Sequence, residues 1–189
     1  AVLRFEPGFL GALAEPFSDP AVGLASGVQG PGIYAGGDIH LSPWPRLSVW
    51  TSPRGGLPYE TPYATGACFL ARRTLMLALG GLAPDFFLYW EDVDLSLRAA
   101  KAGARVLCVP AARFSSAPEG RDSLPKDRRA VAFHKVKNTF LLMARHAPKG
   151  AMCGFRLRFY GPHLIRTLLA GPHRLASLKG ILWTLVRFR

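Results

Sequence analysis

The stretch from Ala67 to Pro110 constrains the fold more than any other part of this chain. Its apolar run Ala67–Ala71 predicts a short buried strand. Arg73–Leu79 then predicts a helix closed by Gly80-Gly81. Four aromatics follow, Phe86, Phe87, Tyr89 and Trp90, and run directly into Glu91-Asp92-Val93-Asp94. From there Val93, Leu97 and Ala100 fall at i, i+4 and i+7, one apolar stripe of a helix, and Gly103 sits where a left-handed cap belongs. "ARVLCVP" predicts a second buried strand, ended by Pro110. Strand, helix, helix and strand in alternation predict an α/β layered fold.

The flanks are read around that frame. Pro7 and "GFLGALAEPF" predict a short helix with proline in its first turn, stopped by Pro16, and Val22, Leu24 and Val28 mark a β-type run. Gly30 to Pro62, rich in Gly and Pro with Trp44, Trp50 and Tyr59 scattered through it, reads as one long loop of a functional or mobile kind. After a polar loop from Ser115 to Lys126, "RRAVAFHKVKNTFLLMARHAP" predicts a helix with Val131, Val136, Phe140 and Met143 toward one side. Farther on, "GPHLIRTLLA" at 161 and "GPHRLASLKG" at 171 form a loose repeat of proline-started helices.

Composition matters chiefly for the charge. With 189 residues, about half of them apolar, the chain has the length for one cored domain with an appendage. The net charge of +12 is unevenly placed: residues 1–120 are near neutral, whereas residues 121–189 carry fifteen Lys/Arg against two Asp/Glu. Cys68, Cys108 and Cys153 lie far apart without a Cys-x-x-Cys, which points to buried thiols in a reducing compartment rather than disulfides. No signal peptide and no uninterrupted apolar run of membrane-spanning length is seen.

Glu91-Asp92-x-Asp94 admits two readings. Carboxylates in a helix's first turn are stabilised by the macrodipole, by about 0.3–1 kcal/mol each, and Asp94 with Arg98 at i, i+4 makes a helix-surface ion pair. On that reading the cluster is a well-charged helix start. The alternative rests on the adjacent aromatics, which desolvate a carboxylate and make it a better proton acceptor. Successive helical side chains turn by about 100°, so one acid can face a cleft while another pairs structurally. Asp94 suits the structural part. Asp92 or Glu91 is the candidate base.

"TGACFLARRTLMLALGGLAPDFFLYWEDVDLSLRAAKAGARVLCVPAARF" resembles the acceptor-side half of the family 2 glycosyltransferases, in particular their rhamnosyltransferase-like and galactofuranosyltransferase-like branch. The shared features run in order: a Gly-containing strand, an Arg-Arg pair, a Gly-Gly turn, paired phenylalanines, an aromatic before Glu-Asp-x-Asp-Leu, an Arg four residues on, and a Gly cap. "EPGFLGALAEPFSDPAVGLAS" resembles the helix and strand that follow the family's nucleotide-binding half, so the likeness covers roughly residues 1–140.

This resemblance implies a partial GT-A (Rossmann-like) fold with a C-terminal helical basic extension. Its parts would be an acceptor-side catalytic portion at 1–125, a post-catalytic helix at 126–150 and a basic amphipathic tail at 151–189. It further implies inverting, single-displacement transfer from a nucleotide-sugar to a glycan or polyprenyl-linked acceptor. Asp92 matches the family's general base and Glu91 neighbours it. Trp90 would wall a sugar ring, Gly66 would allow close substrate approach, and Asp94 joins the substrate-side set. The family's Asp-x-Asp, which holds Mg2+ or Mn2+ on the diphosphate, would lie upstream of Ala1. The chain is therefore expected to be a truncated portion whose metal ligands lie largely outside it. Ser116 stands where many relatives carry a metal-binding His. A non-catalytic glycan- or membrane-binding relative is the alternative.

His134, His146, His163 and His173 have no metal-ligand spacing and are expected at the surface or at caps. Lys137-Asn138 matches a basic-Asn pair of the family's post-catalytic helix, in a core, capping or phosphate-contacting role. Between Met152 and Arg189 apolar and basic residues interleave, which fits an interfacial segment on an anionic membrane surface as well as a solvated basic face. The expected location is cytoplasmic, peripheral at the inner face of the cell membrane. No nucleic-acid motif is present, and no nucleic-acid partner is expected.

Overall fold

The computed structural model describes residues 2–42, 45–116, 128–148, 150–151, 154–155 and 174–187. The chain divides into two compact units: residues 1–39, 47–83 and 91–124 form the first, and residues 40–46, 84–90 and 125–189 form the second.

The first unit is a sheet flanked by helices. Its strands are β1 (Leu3–Phe5), β2 (Val22–Gly30), β5 (Tyr59–Glu60), β6 (Phe69–Ala71) and β7 (Arg105–Ser116), in the order β1-β7-β2-β6 with β5 also on β7. β2 and β7 run parallel, and the other pairs are antiparallel. Eight of the nine residues of β2 are buried, as a strand covered on both faces requires. Helix α1 (Phe9–Ala14) supplies Phe9 and Leu13 to one core with Ala25, Leu107, Val109 and Phe114. Leu24 and Val106 point the other way, into a second core with Leu95 and Ala99 of α3 (Glu91–Lys101) and, at its margin, Leu75 and Leu79 of α2 (Arg73–Leu79). A mixed sheet with helices on both faces is the layered α/β architecture expected.

Several local expectations need correction. Pro110 does not end the last strand: β7 continues to Ser116, and its register against β2 jumps from Gly27↔Val109 to Val28↔Arg113. The proline sits in that irregularity, where no ladder hydrogen bond is asked of it. Gly27 opposes the bulge, and a Cβ there would lie 2.2 Å from the Ala112 carbonyl oxygen. Helix α1 does end at Ala14, before Pro16, and a 3-10 turn (Glu15–Ser18) with that proline in its first turn follows it. The stretch from Gly30 to Pro62 is not one loop. It holds a hairpin of β3 (Gly37–His40) and β4 (Arg46–Val49), as well as β5. Within α3 the buried face is Val93, Leu95 and Ala99, with Asp94 and Ser96 buried among them, while Ala100 is exposed. Gly103 does take the left-handed conformation, φ 82°. Cys68 and Cys108 are free thiols, and Cys108 is buried. Cys153 lies outside the described residues.

The second unit is built on α4 (Arg128–His146) and α5 (Arg174–Arg187). Gly180 lets the helices approach: a Cβ there would meet the Phe133 carbonyl oxygen and Val136 at 3.1 Å. Phe140, Met143 and Phe155 form its core, with Leu41 and Ala147 at the edge. The paired Gly-Pro-His segments at 161 and 171, with His163 and His173, lie outside the described residues.

Candidate functional site

Helix α3 begins at Glu91 and carries Glu91, Asp92 and Asp94 in its first turn. The three acids meet three different surroundings. Asp94 has no exposed surface and pairs through Oδ2 with Arg98 Nε at 2.8 Å; that guanidinium also donates to the carbonyls of Leu79 and Gly81, each at 2.8 Å. The pair is internal, not on the helix surface, and it ties α3 to the turn after α2. Asp94 therefore leaves the substrate-side set, since a carboxylate without accessible surface cannot contact a sugar.

Asp92 is partly buried. Its Oδ2 accepts the Gly66 N–H at 2.7 Å and its Oδ1 accepts the Val93 N–H at 2.8 Å. Burial raises the Asp92 pKa above the ordinary aspartate range, and the N–H bonds from Gly66 and Val93 oppose but do not cancel that effect. Glu91 is also raised, first by burial and further by the Asp92 charge. Its Oε2 is buried and has no hydrogen-bond partner among the described residues, an acceptor that calls for an explanation. The two neighbours are thus a carboxylate braced on both oxygens and one with a buried oxygen left unpartnered among the described residues.

Gly66 sits against this carboxylate. A Cβ on Gly66 would lie 3.0 Å from Asp92 Oδ2 and 3.2 Å from Asp92 Cβ, so any side chain there pushes the carboxylate from its backbone donor. The closest contact the glycine permits is thus with the acid itself. Sequence reasoning missed Tyr63 and Asp38. Tyr63 is buried, and its hydroxyl is pushed up to about 12, by burial first and then by the charges of Asp92 and Asp38. Asp38 in turn accepts Trp50 Nε1 at 3.0 Å, and the Arg54 guanidinium lies 3.3 Å from the Trp50 ring centre. Asp38, Trp50 and Arg54 come from the stretch read as loop and Tyr63 from the residue just after it, where no pattern marks them. Ser96 completes the frame. Its hydroxyl donates to the Asp92 carbonyl at 2.7 Å and accepts the Ala64 N–H at 3.1 Å, so the strand-side segment carrying Gly66 is tied to the helix carrying Asp92.

Trp90 and Tyr89 both adopt left-handed backbone, φ 72° and 68°, unusual for bulky residues. Ser116 Oγ accepts Gln29 Nε2 at 2.6 Å. Of the histidines, His134 is half-buried: its Nδ1 is buried without a partner among the described residues, and its ring lies against Phe87. Burial, with Lys137 nearby, lowers its pKa. Among the described residues no three His, Cys, Asp or Glu side chains converge as a metal ion would require, so Glu91 and Asp92 do not by themselves supply a divalent-metal site.

Comparison with known proteins follows the same division. No family model matches the chain. It is 36% identical over 149 residues to an N-acetylglucosaminyl-diphospho-decaprenol L-rhamnosyltransferase of Mycobacterium tuberculosis, an alignment covering 72% of this chain and 47% of that protein. It is 26% identical over 180 residues to the O-antigen biosynthesis protein RfbC of Myxococcus xanthus, covering 86% of this chain and 13% of that one. The chain thus spans about half the length of the rhamnosyltransferase. Among solved structures, GalNAc-T7 with UDP, GalNAc and Mn2+ superposes with a TM-score of 0.58 at 15% identity, over 98% of this chain and 38% of that one. That likeness shows the fold. Sequence relatives and fold agree, and the chain is a relative of the family 2 glycosyltransferases that carries part of the GT-A fold.

Proposed function

We propose that this chain forms the acceptor side of an inverting glycosyltransferase and that Asp92 is its general base. In the reaction an acceptor hydroxyl attacks the anomeric carbon of a nucleotide-sugar. A new C–O bond forms as the bond to the diphosphate breaks, and the hydroxyl proton passes to Asp92. The single observation that carries this reading is the Asp92 carboxylate. It is held in place by two backbone N–H groups, and burial makes it more basic than a solvated aspartate. Glu91, next in the chain and itself raised by burial, would act on the reaction only through Asp92, since its Oε2 has no accessible surface to offer a sugar. Trp90 precedes both acids in the chain and would offer its indole to a sugar ring. A divalent metal would be held by residues outside those described.

The rhamnosyltransferase relative is named for a diphospho-decaprenol-linked sugar, and we take a polyprenyl-linked glycan as the acceptor class. The test is the product of the full-length polypeptide. With a nucleotide-sugar and a polyprenyl-diphosphate-linked sugar, NMR of the product should show one new glycosidic bond of inverted anomeric configuration. Retained configuration would remove single displacement.

Such an acceptor lies in a membrane, and the second unit has a surface to meet one. Leu175, Lys179, Leu182 and Val186 are exposed and fall at i, i+4, i+7 and i+11, one stripe of α5. Residues 128–189 contain no Asp or Glu. Among the described residues no helix is long and apolar enough to cross a membrane. A stripe of this kind suits peripheral binding, each basic residue adding about 1 kcal/mol at an anionic surface. The protein is expected to float with phosphatidylglycerol-containing vesicles and not with phosphatidylcholine alone. The double substitution Leu182→Glu, Val186→Glu should abolish flotation without unfolding the protein. Equal flotation of wild type and variant would show that this stripe is not the contact.

A further inference from the structure

Helix α4 reaches the aromatic segment that leads into α3 with three side chains. Asn138, wholly buried, donates from Nδ2 to the carbonyl oxygens of Leu88 at 2.6 Å and Tyr89 at 2.9 Å. Its neighbour Lys137 donates to the Asp85 carbonyl, and Arg145 pairs with the Asp85 carboxylate at 2.7 Å. The segment so held contains two successive bulky residues in left-handed backbone, Tyr89 and Trp90. For L-residues that conformation is unfavourable, because Cβ crowds the backbone carbonyl, and it persists only where surrounding bonds enforce it.

The amide can sit in one orientation only. Turned over, Asn138 Oδ1 would face two carbonyl oxygens and all three would repel. In the orientation present, Oδ1 is buried with no hydrogen-bond partner among the described residues. A residue chosen for stability alone would not leave an acceptor unsatisfied in a core. What asparagine contributes here is a donor pair aimed at two adjacent carbonyls, which no apolar side chain of the same size provides.

We infer that Asn138 is a positioning residue: by binding the Leu88 and Tyr89 carbonyls its amide holds Tyr89 and Trp90 in the left-handed course, and so sets the direction in which the Trp90 indole leaves the chain immediately before Glu91 and Asp92. The kinetic consequence rests on the glycosyltransferase reading given above. The backbone consequence does not. The chain at 85–90 is thus fastened at one end by Asp85 and at the other by the Leu88 and Tyr89 carbonyls, and α4 supplies every one of these fastenings. Neither the aromatic run nor Glu-Asp-x-Asp carries a sign of this, since the partner lies about fifty residues downstream.

The experiment compares wild type, Asn138→Leu, and Asn138→Leu combined with Tyr89→Gly in the full-length polypeptide. Leucine fills the space of asparagine without its donors, and glycine takes a positive φ without steric cost. Hydrogen exchange is read first. Asn138→Leu is expected to speed exchange of the amides at residues 88–91 while Leu95–Lys101 stay protected. In the transfer assay the same variant is expected to raise KM for the acceptor and lower kcat/KM by on the order of 10–100-fold, as loss of orientation does. Tyr89→Gly in that background should recover several-fold of the loss. Unchanged exchange at 88–91 would overturn the inference whatever the activity. So would a fall in kcat/KM that tracks a lowered Tm and is not recovered by Tyr89→Gly. If no protein shows sugar transfer at all, the functional reading fails, and the exchange result still decides the role of Asn138.

Discussion

Asp92→Asn is expected to lower the rate of sugar transfer by about 10²–10⁴-fold, the usual contribution of a general base, while the fold and donor binding survive. The substitution is close to isosteric and leaves Gly66 and Val93 in place. Its stability follows from the sign of the pKa shift. Burial raises the folded-state pKa of Asp92, so the folded chain holds that proton more tightly than the unfolded chain does. Stability therefore falls as pH rises from the ordinary aspartate value through the raised folded value, and it stays lower above that window. Ionising the buried carboxylate therefore costs the fold stability relative to its protonated form at low pH. Asparagine removes that cost but can accept only one of the two N–H bonds now made by Oδ1 and Oδ2. The two effects oppose, and the variant's Tm at neutral pH should stay close to wild type while turnover collapses. A large fall in Tm accompanying the loss of rate would make Asp92 a folding residue instead.

Two positions along the same helix the outcome reverses. Asp94→Ala is expected to cost about 2–4 kcal/mol in urea unfolding. Removing one partner of a buried ion pair leaves the other charge uncompensated, and Arg98, which keeps some contact with water, suffers less from this than a fully enclosed charge. Arg98 also organises the turn after α2 through Leu79 and Gly81, so its release should loosen both helices. Near-wild-type stability with a specific rise in the acceptor's KM would return Asp94 to the substrate-binding set. The contrast between positions 92 and 94 separates chemistry from architecture within one turn of helix.

That contrast was only partly legible in the sequence. The spacing of Asp94 and Arg98 gave the pair, but a surface pair and a buried one share the same i, i+4 signature. What buries Asp94 is tertiary packing, which periodicity does not encode. The same polar residues, Asp94 and Ser96, interrupted the apolar pattern and shifted the stripe onto Ala100, which is exposed, and away from Leu95 and Ala99, which carry the core. α2 was legible end to end, because Gly80-Gly81 closes it and Gly80 takes the left-handed cap. A proline normally stops a ladder, so the sequence ends β7 at Pro110, and only the partner strand's register shows the bulge that admits it.

Between Gly30 and Pro62 the failure has another cause. β3 and β4 are four residues each and mostly exposed or half-buried, so neither alternation nor a buried run announces them. Asp38 lies in that hairpin and carries no mark of its own, and Tyr63, just beyond the stretch, comes within electrostatic range of it only in the fold. Asp92 itself was singled out from Glu91 by resemblance to a family pattern. Its two N–H bonds, one of them from Gly66 at a separation of 26 residues, belong to the fold.

The pH dependence of kcat tests the central claim most directly. Asp92 must be ionised to accept a proton, so the rate should fall with unit slope as pH drops through the folded-state pKa of Asp92. That acid limb should lie above the ordinary aspartate range, because burial is the dominant influence. The residual rate of Asp92→Asn should lack the limb. A limb at the ordinary aspartate position, or one that persists unchanged in Asp92→Asn, would show that another group takes the proton.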